Sequence, residues 1–415
     1  MPFRTVPFLL ALLVDPLPAE EPPTAVPLSA LVDLLVLRNP DIRAARLRHE
    51  AATKRPSQMA TLPEPKLSVA NLGAGHPFSR LNTSDFAFQS FGFSQEIPFP
   101  GKLALAGEQA RREAEAELER YRETMFDRVS QLKSAYYDWF ASGKAIEITH
   151  QNRDLLERIE KIAAARYAVG RAAQQDVLKA QLEQSMLAQQ VALLEQKSAV
   201  AEARLRALIA GELPGSRPEQ VRLSPTPDLG TLLGSLDLDA PRLRAGRKMI
   251  DSRATAIERS RQDYRPDFGV SFQWQKTGSR FRDYYVTMAE VKIPLYFWSK
   301  QRPGVEEAVA LYRESRHGYE AARQELTFQI RELHLAAKTS ERLIPLYRSA
   351  MIPQATLTLE SAMAGYEVGN VDFLTLLSNF AAALAYEIEV HAEVAKHEQA
   401  LARIEALTGK TFTER

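Results

Sequence analysis

Cysteine is missing from all 415 residues of the sequence. Its absence excludes thiolate nucleophiles, disulfide scaffolds, iron–sulfur clusters and cysteine-type zinc sites. An excess of one charge is missing too, because 53 Lys and Arg residues oppose 52 Asp and Glu residues, a formal net charge of +1. Such a chain has no overall positive field to attract a polyanion, and we expect no nucleic-acid partner.

Long apolar runs are scarce as well. Arg4 precedes a short apolar stretch from Val6 to Val14, and the small Ala19 follows it. This pattern is typical of a secretory signal peptide over residues 1–19, with a short buried strand or helix as the alternative. Later in the chain we expect no apolar segment that reaches the roughly 20 residues of a spanning helix. Any membrane insertion is therefore predicted to use β-strands.

Patterns of catalysis and metal binding are also lacking. The seven histidines contain no pair at the i,i+4 helical spacing, and the eight methionines are scattered along the chain. Neither a serine nucleophile elbow nor a phosphate-binding loop occurs. We therefore expect no catalytic residue, no metal site and no cofactor.

An internal repeat of about 200 residues organises the chain. The segment Asn39 to Arg46 has a counterpart at Ala240 to Arg247, and both place a proline at a helix start. The turn Tyr167 to Gly170 returns at Tyr366 to Gly369. The sequence predicts a signal peptide at 1–19, a first repeat at 20–210, a linker at 211–238, a second repeat at 239–409 and a short tail at 410–415.

Each repeat contains the pattern of one very long helix. Between Lys102 and Ala168 there is no proline, which allows a nearly continuous helix of about 100 Å at roughly 1.5 Å per residue. Apolar residues repeat in sevens along it, and the second repeat shows the same spacing, although Pro345 predicts a kink there. Helices of this length cannot bury such stripes alone, so they are predicted to pack together as coiled coil.

Two segments in each repeat alternate like β-strands. In the second repeat one face carries large apolar residues and the other face small or polar residues, which is typical of outer-membrane barrel strands, with a soluble β-sandwich as the alternative. In the first repeat Phe86 and Phe88 share a face, and Phe91 and Phe93 follow after a change of phase that predicts a bulge. The predicted lipid-facing residues are Phe86, Phe88, Phe268, Val270, Phe272, Trp274 and Val291.

Four motifs together resemble the outer-membrane efflux protein family, the TolC family. They are the Asn-Pro-Asp at residue 39, the Leu-Pro-Glu-Pro at 62–65, the Gln-Glu-Ile-Pro-Phe-Pro-Gly-Lys at 95–102 and the paired Tyr-x-Val-Gly turns. The stretch at 95–102 is most similar to the branch that serves heavy-metal (cation) RND efflux pumps. The resemblance implies a mainly α protein with a small β part, in which long helices form a periplasmic α-barrel and four strands per protomer contribute to a trimeric 12-stranded β-barrel.

The resemblance also implies where function resides. In the family the Tyr-x-x-Gly turns lie at the periplasmic tip of the tunnel, where polar side chains close a constriction and the adaptor docks. Two aspartates that some members carry after the second turn are replaced by Thr375 and Ser378 in this sequence. The positions that correspond to the tip are Arg166, Tyr167, Gly170, Arg171, Asp176, Tyr366, Gly369 and Asp372.

The function implied is that of a passive exit duct of a tripartite efflux system. It would conduct small substrates, heavy-metal cations among them, out of the periplasm of a Gram-negative bacterium. The partners implied are two further copies of the chain in a homotrimer, outer-membrane lipid, a periplasmic adaptor protein and an inner-membrane RND-type pump. A soluble periplasmic coiled-coil adaptor or a structural protein of secretion is the alternative function.

Overall fold

The computed structural model describes residues 25–73, 81 and 86–412 of the chain. The predicted signal peptide and the last three residues of the predicted tail lie outside these residues. The first half of the chain contains β1 (Ala25–Val26), α1 (Leu28–Arg38), α2 (Pro40–Ala52), α3 (Arg55–Ala60), β2 (Lys66–Leu72), β3 (Phe88–Ile97), α4 (Lys102–Ala168) and α5 (Gln174–Ile209). The second half contains β4 (Arg217–Pro218), α6 (Leu229–Gly234), α7 (Leu236–Asp239), α8 (Pro241–Gln262), β5 (Asp267–Lys276), β6 (Tyr284–Lys292), α9 (Gln301–Leu346), α10 (Ile352–Val368) and α11 (Phe373–Thr408).

The predicted fold class is confirmed, because the described chain is mainly helical with a small sheet. Helix α4 begins at Lys102 and ends at Ala168, over 67 residues, because no proline interrupts this stretch. Packing places α5 and α11 against α4, and α9 and α10 against α11. Across the bundle the order of the long helices is therefore α5, α4, α11, and then α9 with α10.

Two of the apolar clusters in the described bundle join α4 to α5 and α11. One surrounds Leu132 and Trp139 of α4 and receives Leu31, Leu35 and Leu205. The second lies farther along the helices and joins Leu156 and Ile159 to Leu187, Leu376 and Phe380. Each cluster contains side chains from both repeats. Neither the hairpin of α4 and α5 nor the hairpin of α9, α10 and α11 can therefore bury its apolar stripe without the other.

The second long helix is interrupted where proline predicts it. Helix α9 passes through Pro345, and a π-helical turn over Tyr347–Met351 follows before α10 begins. A proline has no N–H to donate to the preceding turn, and a π-helical turn accommodates the disturbed hydrogen-bond ladder. Helix α4 has no such interruption.

Four strands form one antiparallel sheet in the order β2-β3-β5-β6. Strands β3 and β5, one from each repeat, pair at its centre, with Phe93 opposite Phe272 and Phe91 opposite Trp274. The outer strands β2 and β6 each have one edge without a partner strand in the described part of the chain. The two repeats therefore share one sheet, and both edges of this sheet, at β2 and at β6, lack a partner strand in the described residues.

The predicted bulge in the first repeat is wrong. Strand β3 pairs in unbroken register with β2 from Phe88 to Ser94 and with β5 from Gln89 to Ile97. Since side chains alternate strictly along an unbroken strand, Phe88 lies on the face opposite Phe91 and Phe93. Phe86 lies in a turn before β3, so no strand pairing assigns it to a face.

One helix departs from the expectation that no later segment is apolar enough to span a membrane. Helix α11 contains a stretch with a mean hydropathy of 1.3, long and apolar enough by length and composition to cross a bilayer. This helix packs against α4 on one side and against α9 and α10 on the other. Neighbours on two sides account for part of this composition, since 33% of the apolar stretch is buried within the protomer.

Candidate functional site

The two helical hairpins turn at the end of the bundle that lies about 100 Å from the sheet, by the length of α4. We call this end the tip, and it comprises residues 166–176 and 365–375. At the first turn Gly170 N–H donates to the carbonyl of Tyr167 and Arg171 N–H donates to that of Arg166, at 2.9 and 2.8 Å. At the second turn Gly369 and Asn370 make the equivalent bonds to Tyr366 and Gly365, at 3.1 and 2.8 Å.

Both turns need a residue with a left-handed backbone. Gly170 has φ 72° and Gly369 has φ 90°, values that a side chain with a Cβ adopts only with strain. The backbone hydrogen bonds of each turn satisfy carbonyls in the last turn of the helix that would otherwise lack donors, as in a Schellman motif. The Tyr-x-Val-Gly repeat therefore encodes the same helix ending twice.

Three side chains connect the two turns across the tip. Tyr366 is 2% exposed, and its hydroxyl donates to Oδ2 of Asp176 at 3.1 Å. The guanidinium carbon of Arg166 lies 4.4 Å from the centre of the Tyr366 ring. Arg166 also donates to the carbonyl of Arg171 at 3.2 Å. One tyrosine of the second hairpin thus holds both helices of the first.

The electrostatics of this contact keep the tyrosine protonated. Burial, together with the adjacent Asp176 carboxylate, raises the pKa of Tyr366 to about 12, although the Arg166 guanidinium acts in the opposite direction. A neutral hydroxyl is the form that can donate to Asp176. Two further nitrogens of Arg166, Nε and Nη1, are buried without a hydrogen-bond partner in the described chain, so the ring of Tyr366 is a main support of this cation.

The two tyrosines of the repeated turn differ in environment. Tyr167 is 47% exposed, whereas Tyr366 is buried against the ring of Phe373, with 5.4 Å between the ring centres. Gly365, which precedes Tyr366, faces Val371 so closely that a Cβ there would lie 2.5 Å from a Val371 methyl. The first repeat has Arg166 in place of that glycine. Sequence reasoning missed this asymmetry because the four-residue motifs match.

The remaining predicted tip residues have simpler surroundings. Asp372 caps α11 by accepting the N–H of Thr375 at 2.7 Å, and it also accepts the Thr375 hydroxyl. These hydrogen bonds lower the pKa of Asp372. The side chain of Ser378 donates back to the carbonyl of Thr375. Arg171 is exposed on the turn, and its backbone carbonyl is what Arg166 contacts.

The two faces of the sheet differ in chemistry. The apolar face combines aromatic and branched side chains from all four strands, and Phe91 and Trp274 stack on it with 6.0 Å between ring centres. On the opposite face Gln273 donates to the buried hydroxyl of Ser90 at 2.8 Å. The register assigns to the apolar face Leu67, Val69, Phe91, Phe93, Phe268, Val270, Phe272, Trp274, Tyr285 and Val291. Phe88 belongs to the opposite face, with Ser90, Gly92 and Ser94.

A polar junction connects the sheet to the long helix. Lys102, at the start of α4, forms an ion pair with Asp267, at the start of β5, with 2.8 Å between Nζ and Oδ1. Asp267 also accepts the backbone N–H of Phe99 at 2.8 Å, and Arg265 lies over the Phe99 ring at 5.8 Å. This junction joins the strand-to-helix connection of the first repeat to the second repeat.

Within the described residues, no group of three or more His, Asp or Glu side chains is arranged to hold a metal ion. The most buried histidine, His397, contacts Oε1 of Glu398 at 2.9 Å and the hydroxyl of Thr226 at 3.1 Å. Glu398 also accepts the backbone N–H of Ser224 at 2.8 Å. This group fastens the segment between the repeats to α11 and has a structural role.

Comparison with known proteins gives one family and several structures. The profile of the family described as outer membrane efflux protein matches residues 31–211 and 232–410. The chain resembles the solved structure of CusC at a TM-score of 0.80 and 15% identity, over 92% of each chain. It resembles the outer membrane protein VceC of Vibrio cholerae at 0.79 and 16%, over 93% of this chain and 97% of that one. The open state of the MtrE outer membrane channel of Neisseria gonorrhoeae gives 0.77 and 17%, over 92% and 89%.

At these identities the structural matches define the fold alone. No curated protein sequence gives a significant match.

Proposed function

The chain belongs to the outer membrane efflux protein family, and on that premise we propose that it is the exit duct of a tripartite efflux system. The family is one of outer-membrane transport channels rather than enzymes, and the proposed duct conducts small substrates passively. The observation that carries the proposal is the match of the family profile to both halves of the chain. The combination of a two-faced sheet with a helix of about 100 Å, α4, supports it.

A homotrimer is the proposed working form. The sheet has an unpaired edge at β2 and another at β6, and each unsatisfied backbone group at such an edge costs several kcal/mol in lipid. Joining β6 of one protomer to β2 of the next satisfies both edges, and three protomers give 12 strands around a lumen. In this arrangement the apolar face of the sheet, including Phe272 and Val291, contacts lipid, and the face with Ser90 and Gln273 lines the lumen.

Exposed apolar stripes on the outermost helices support the same closure. Helix α5 lies at one end of the bundle and α9 with α10 at the other, so a head-to-tail ring brings α5 of one protomer against α9 and α10 of its neighbour. The stripe on α5 follows a heptad spacing through Leu182, Met186, Leu193 and Val200. The stripe on α9 and α10 consists of Phe328, Leu335, Leu346 and Leu357.

At the tip we propose a closed constriction. The hydrogen bond from Tyr366 to Asp176 and the stacking of Arg166 on Tyr366 hold the second hairpin against the first. Opening would require these contacts to separate. Exposed residues of the two turns, Val169 and Val368 among them, would contact a periplasmic adaptor protein that links the duct to an inner-membrane RND-type pump.

Heavy-metal cations are the cargo that we propose. The support is the sequence resemblance of residues 95–102 to the heavy-metal branch of the family. The chain would then act as a conduit for these ions rather than as a binding protein. The two repeats at 20–210 and 239–409, the linker at 211–238 and the tail at 410–415 remain our proposed division of the chain.

Complementation tests the function directly. The chain, expressed with its adaptor and pump in a Gram-negative strain that lacks its own duct, should restore growth on heavy-metal salts, and purified protein should give discrete conductance steps in planar bilayers. Restored resistance to organic dyes without resistance to metals would contradict the cargo alone. Absence of both conductance and resistance, in protein correctly inserted in the outer membrane, would contradict the duct.

A further inference from the structure

The apolar face of the sheet ends in a row of polar side chains. Asn71 of β2, Gln89 of β3 and Lys276 of β5 lie side by side, because Asn71 pairs with Gln89 and Gln89 pairs with Lys276. The next row toward the long helices contains Phe91, which stacks on Trp274. The chemistry of this face therefore changes from aromatic to polar within a single row.

Lys276 differs from the rest of the apolar face by its charge. The register assigns every second residue of each strand to this face, and among the described strand residues so assigned Lys276 is the only charged one. A cation on the lipid face of a barrel is costly at the middle of the bilayer and inexpensive near its edge. The other charged residues of these four strands belong to the opposite face: Lys66, Glu96, Asp267, Glu290 and Lys292.

The position of Lys276 along β5 agrees with such an edge. Lys276 follows Phe268 by eight residues, which is about 27 Å along a strand at roughly 3.4 Å per residue. For a strand tilted by about 40° this length corresponds to roughly 21 Å along the membrane normal, close to the apolar band of about 25 Å in outer-membrane barrels. Helix α4 begins at the other end of the sheet, so in the proposed duct Lys276 lies on the side of the cell exterior.

The loop after β5 carries two further cations beside this row. The hydroxyl of Thr277, which is 1% exposed, donates to the carbonyl of Arg282 at 2.8 Å. The N–H of Thr277 donates to Oδ1 of Asp283 at 3.4 Å, and Gly278 provides a left-handed backbone with φ 108°. These contacts close the loop, and the side chains of Arg280 and Arg282 are exposed on it.

We propose that Lys276, Arg280 and Arg282 bind a phosphate group of a lipid headgroup in the outer leaflet of the outer membrane. Ammonium and guanidinium groups donate charge-assisted hydrogen bonds to phosphate oxygens, and the amides of Asn71 and Gln89 supply N–H donors in the same row. A lysine beyond an apolar stripe lays its stem along that stripe and places its charge where acyl chains end. This position favours a lipid phosphate over a free phosphate ion.

The inference rests on the proposed barrel, because the apolar face must contact lipid for the row to meet headgroups. Each protomer carries one such row, so a trimer has three sites. A bound phosphate on each protomer offsets the positive charge that the loop brings to the membrane surface, and it ties the barrel to the leaflet around it.

Native mass spectrometry of the detergent-solubilised trimer tests the site. The probe is lipid A, a glycolipid with two phosphate groups, and the comparison probe is the same lipid without its phosphates. We expect up to three molecules of the phosphorylated lipid per trimer, and Lys276→Gln should weaken this binding on the order of tenfold. Lys276→Arg keeps the cation and should bind like the parent protein. Lys292→Gln is the matched control, because it removes a cation from the opposite face and should leave binding unchanged.

Three results would each overturn the site. Equal binding of lipid A with and without phosphates would mean that Lys276 only reaches water. Equal losses in Lys276→Gln and Lys292→Gln would mean that the lipid responds to net charge and not to this row. Displacement of lipid A by inorganic pyrophosphate at the same concentration would make the row a site for free phosphate ions.

Conductance of the same preparation in planar bilayers separates failure of the site from failure of the duct. If the parent trimer conducts but gives any of those three results, the phosphate site is wrong and the duct stands. If the parent protein neither forms a trimer nor conducts, the proposed barrel is wrong and the site is wrong with it.

Discussion

The hydroxyl of Tyr366 donates a hydrogen bond to Oδ2 of Asp176 across 3.1 Å, and this bond joins two residues that lie in different repeats. Arg166 stacks on the same ring at 4.4 Å. This contact of three side chains lies at the end of α4 that is about 100 Å from the sheet. It limits how far the two hairpins can separate at the tip.

Removing the hydroxyl should loosen the tip. Tyr366→Phe keeps the ring that supports Arg166 and contacts Phe373 but removes the donor to Asp176, at a cost of about 1 kcal/mol for the lost hydrogen bond. We expect a higher single-channel conductance in planar bilayers. Tyr167→Phe is the matched control, because Tyr167 is exposed and should leave conductance unchanged. Equal conductance of Tyr366→Phe and the parent protein would remove Tyr366 from the constriction.

The same tyrosine predicts an effect of alkaline pH. An unfolded tyrosine loses its proton near pH 10, whereas the pKa of Tyr366 is raised to about 12 in the folded protein. The folded state therefore retains a proton that the unfolded state loses, so this contribution to stability is present below about pH 10 and is lost as the pH rises toward 12. Conductance of the parent protein should therefore rise between about pH 10 and about pH 12, the two pKa values of this tyrosine. Tyr366→Phe should lack this component, and an identical pH profile for the two would contradict the assignment.

Sequence patterns were sufficient for the long elements. The lack of proline between Lys102 and Ala168 predicts a helix whose ends the structure places at these two residues. Alternation over Phe268 to Trp274 likewise predicts β5, because a strand with chemically different faces repeats every second residue. Pro345 correctly marks the disturbance in the second long helix, although the sequence did not specify a π-helical turn as its form.

The side-chain alternation of β3 and the difference between the two tip turns were harder to predict. Phe88 is aromatic, and its spacing from Phe91 predicted a bulge. In the structure Phe88 instead pairs with Leu72 at the far end of the sheet, where these two apolar residues lie on an otherwise polar face. The two Tyr-x-Val-Gly motifs are alike in sequence, whereas the burial of Tyr366 depends on Phe373 and Val371 beyond the motif. The roles assigned to the tip and to the apolar face stay predictions.

The two faces of the sheet should respond differently to charge. Phe272→Arg should cost roughly 2–4 kcal/mol if the residue lies near the bilayer midplane, because a cation on the lipid face loses its hydration. Ser271→Arg, one residue away on the opposite face, should be tolerated in a water-filled lumen. The measurement is the yield of heat-resistant trimer in the outer-membrane fraction. Equal loss for both variants would mean that the faces are assigned the wrong way or that neither contacts lipid.

The helical stripes predict which residues hold the trimer. Leu193→Asp introduces a charge into the α5 stripe and should shift detergent-solubilised protein from trimer toward monomer in light scattering. Ala192→Asp is the control, because a neighbouring exposed residue is rotated by about 100° from the stripe. A monodisperse trimer for Leu193→Asp would show that α5 does not contribute to the interface, and a monomeric parent protein would contradict the ring itself.

The last prediction concerns Gly369, where backbone and side-chain effects add. Its φ of 90° imposes strain of about 1–3 kcal/mol on a residue with a Cβ, and a Cβ there would lie 3.2 Å from Nη2 of Arg166. Gly369→Val should therefore displace Arg166 from Tyr366, disturb adaptor docking and abolish complementation of efflux, while trimer yield stays unchanged.

Two matched variants divide that effect into its parts. Gly170→Val has the same kind of backbone strain, with φ 72°, but has open space around its Cβ, so it should reduce efflux less. Gly143→Ala, in the middle of α4 and also without neighbours, should be neutral or more stable by up to about 1 kcal/mol. If Gly369→Val restores efflux as well as Gly143→Ala does, the tip does not control docking, and control must lie along the inner faces of the long helices instead.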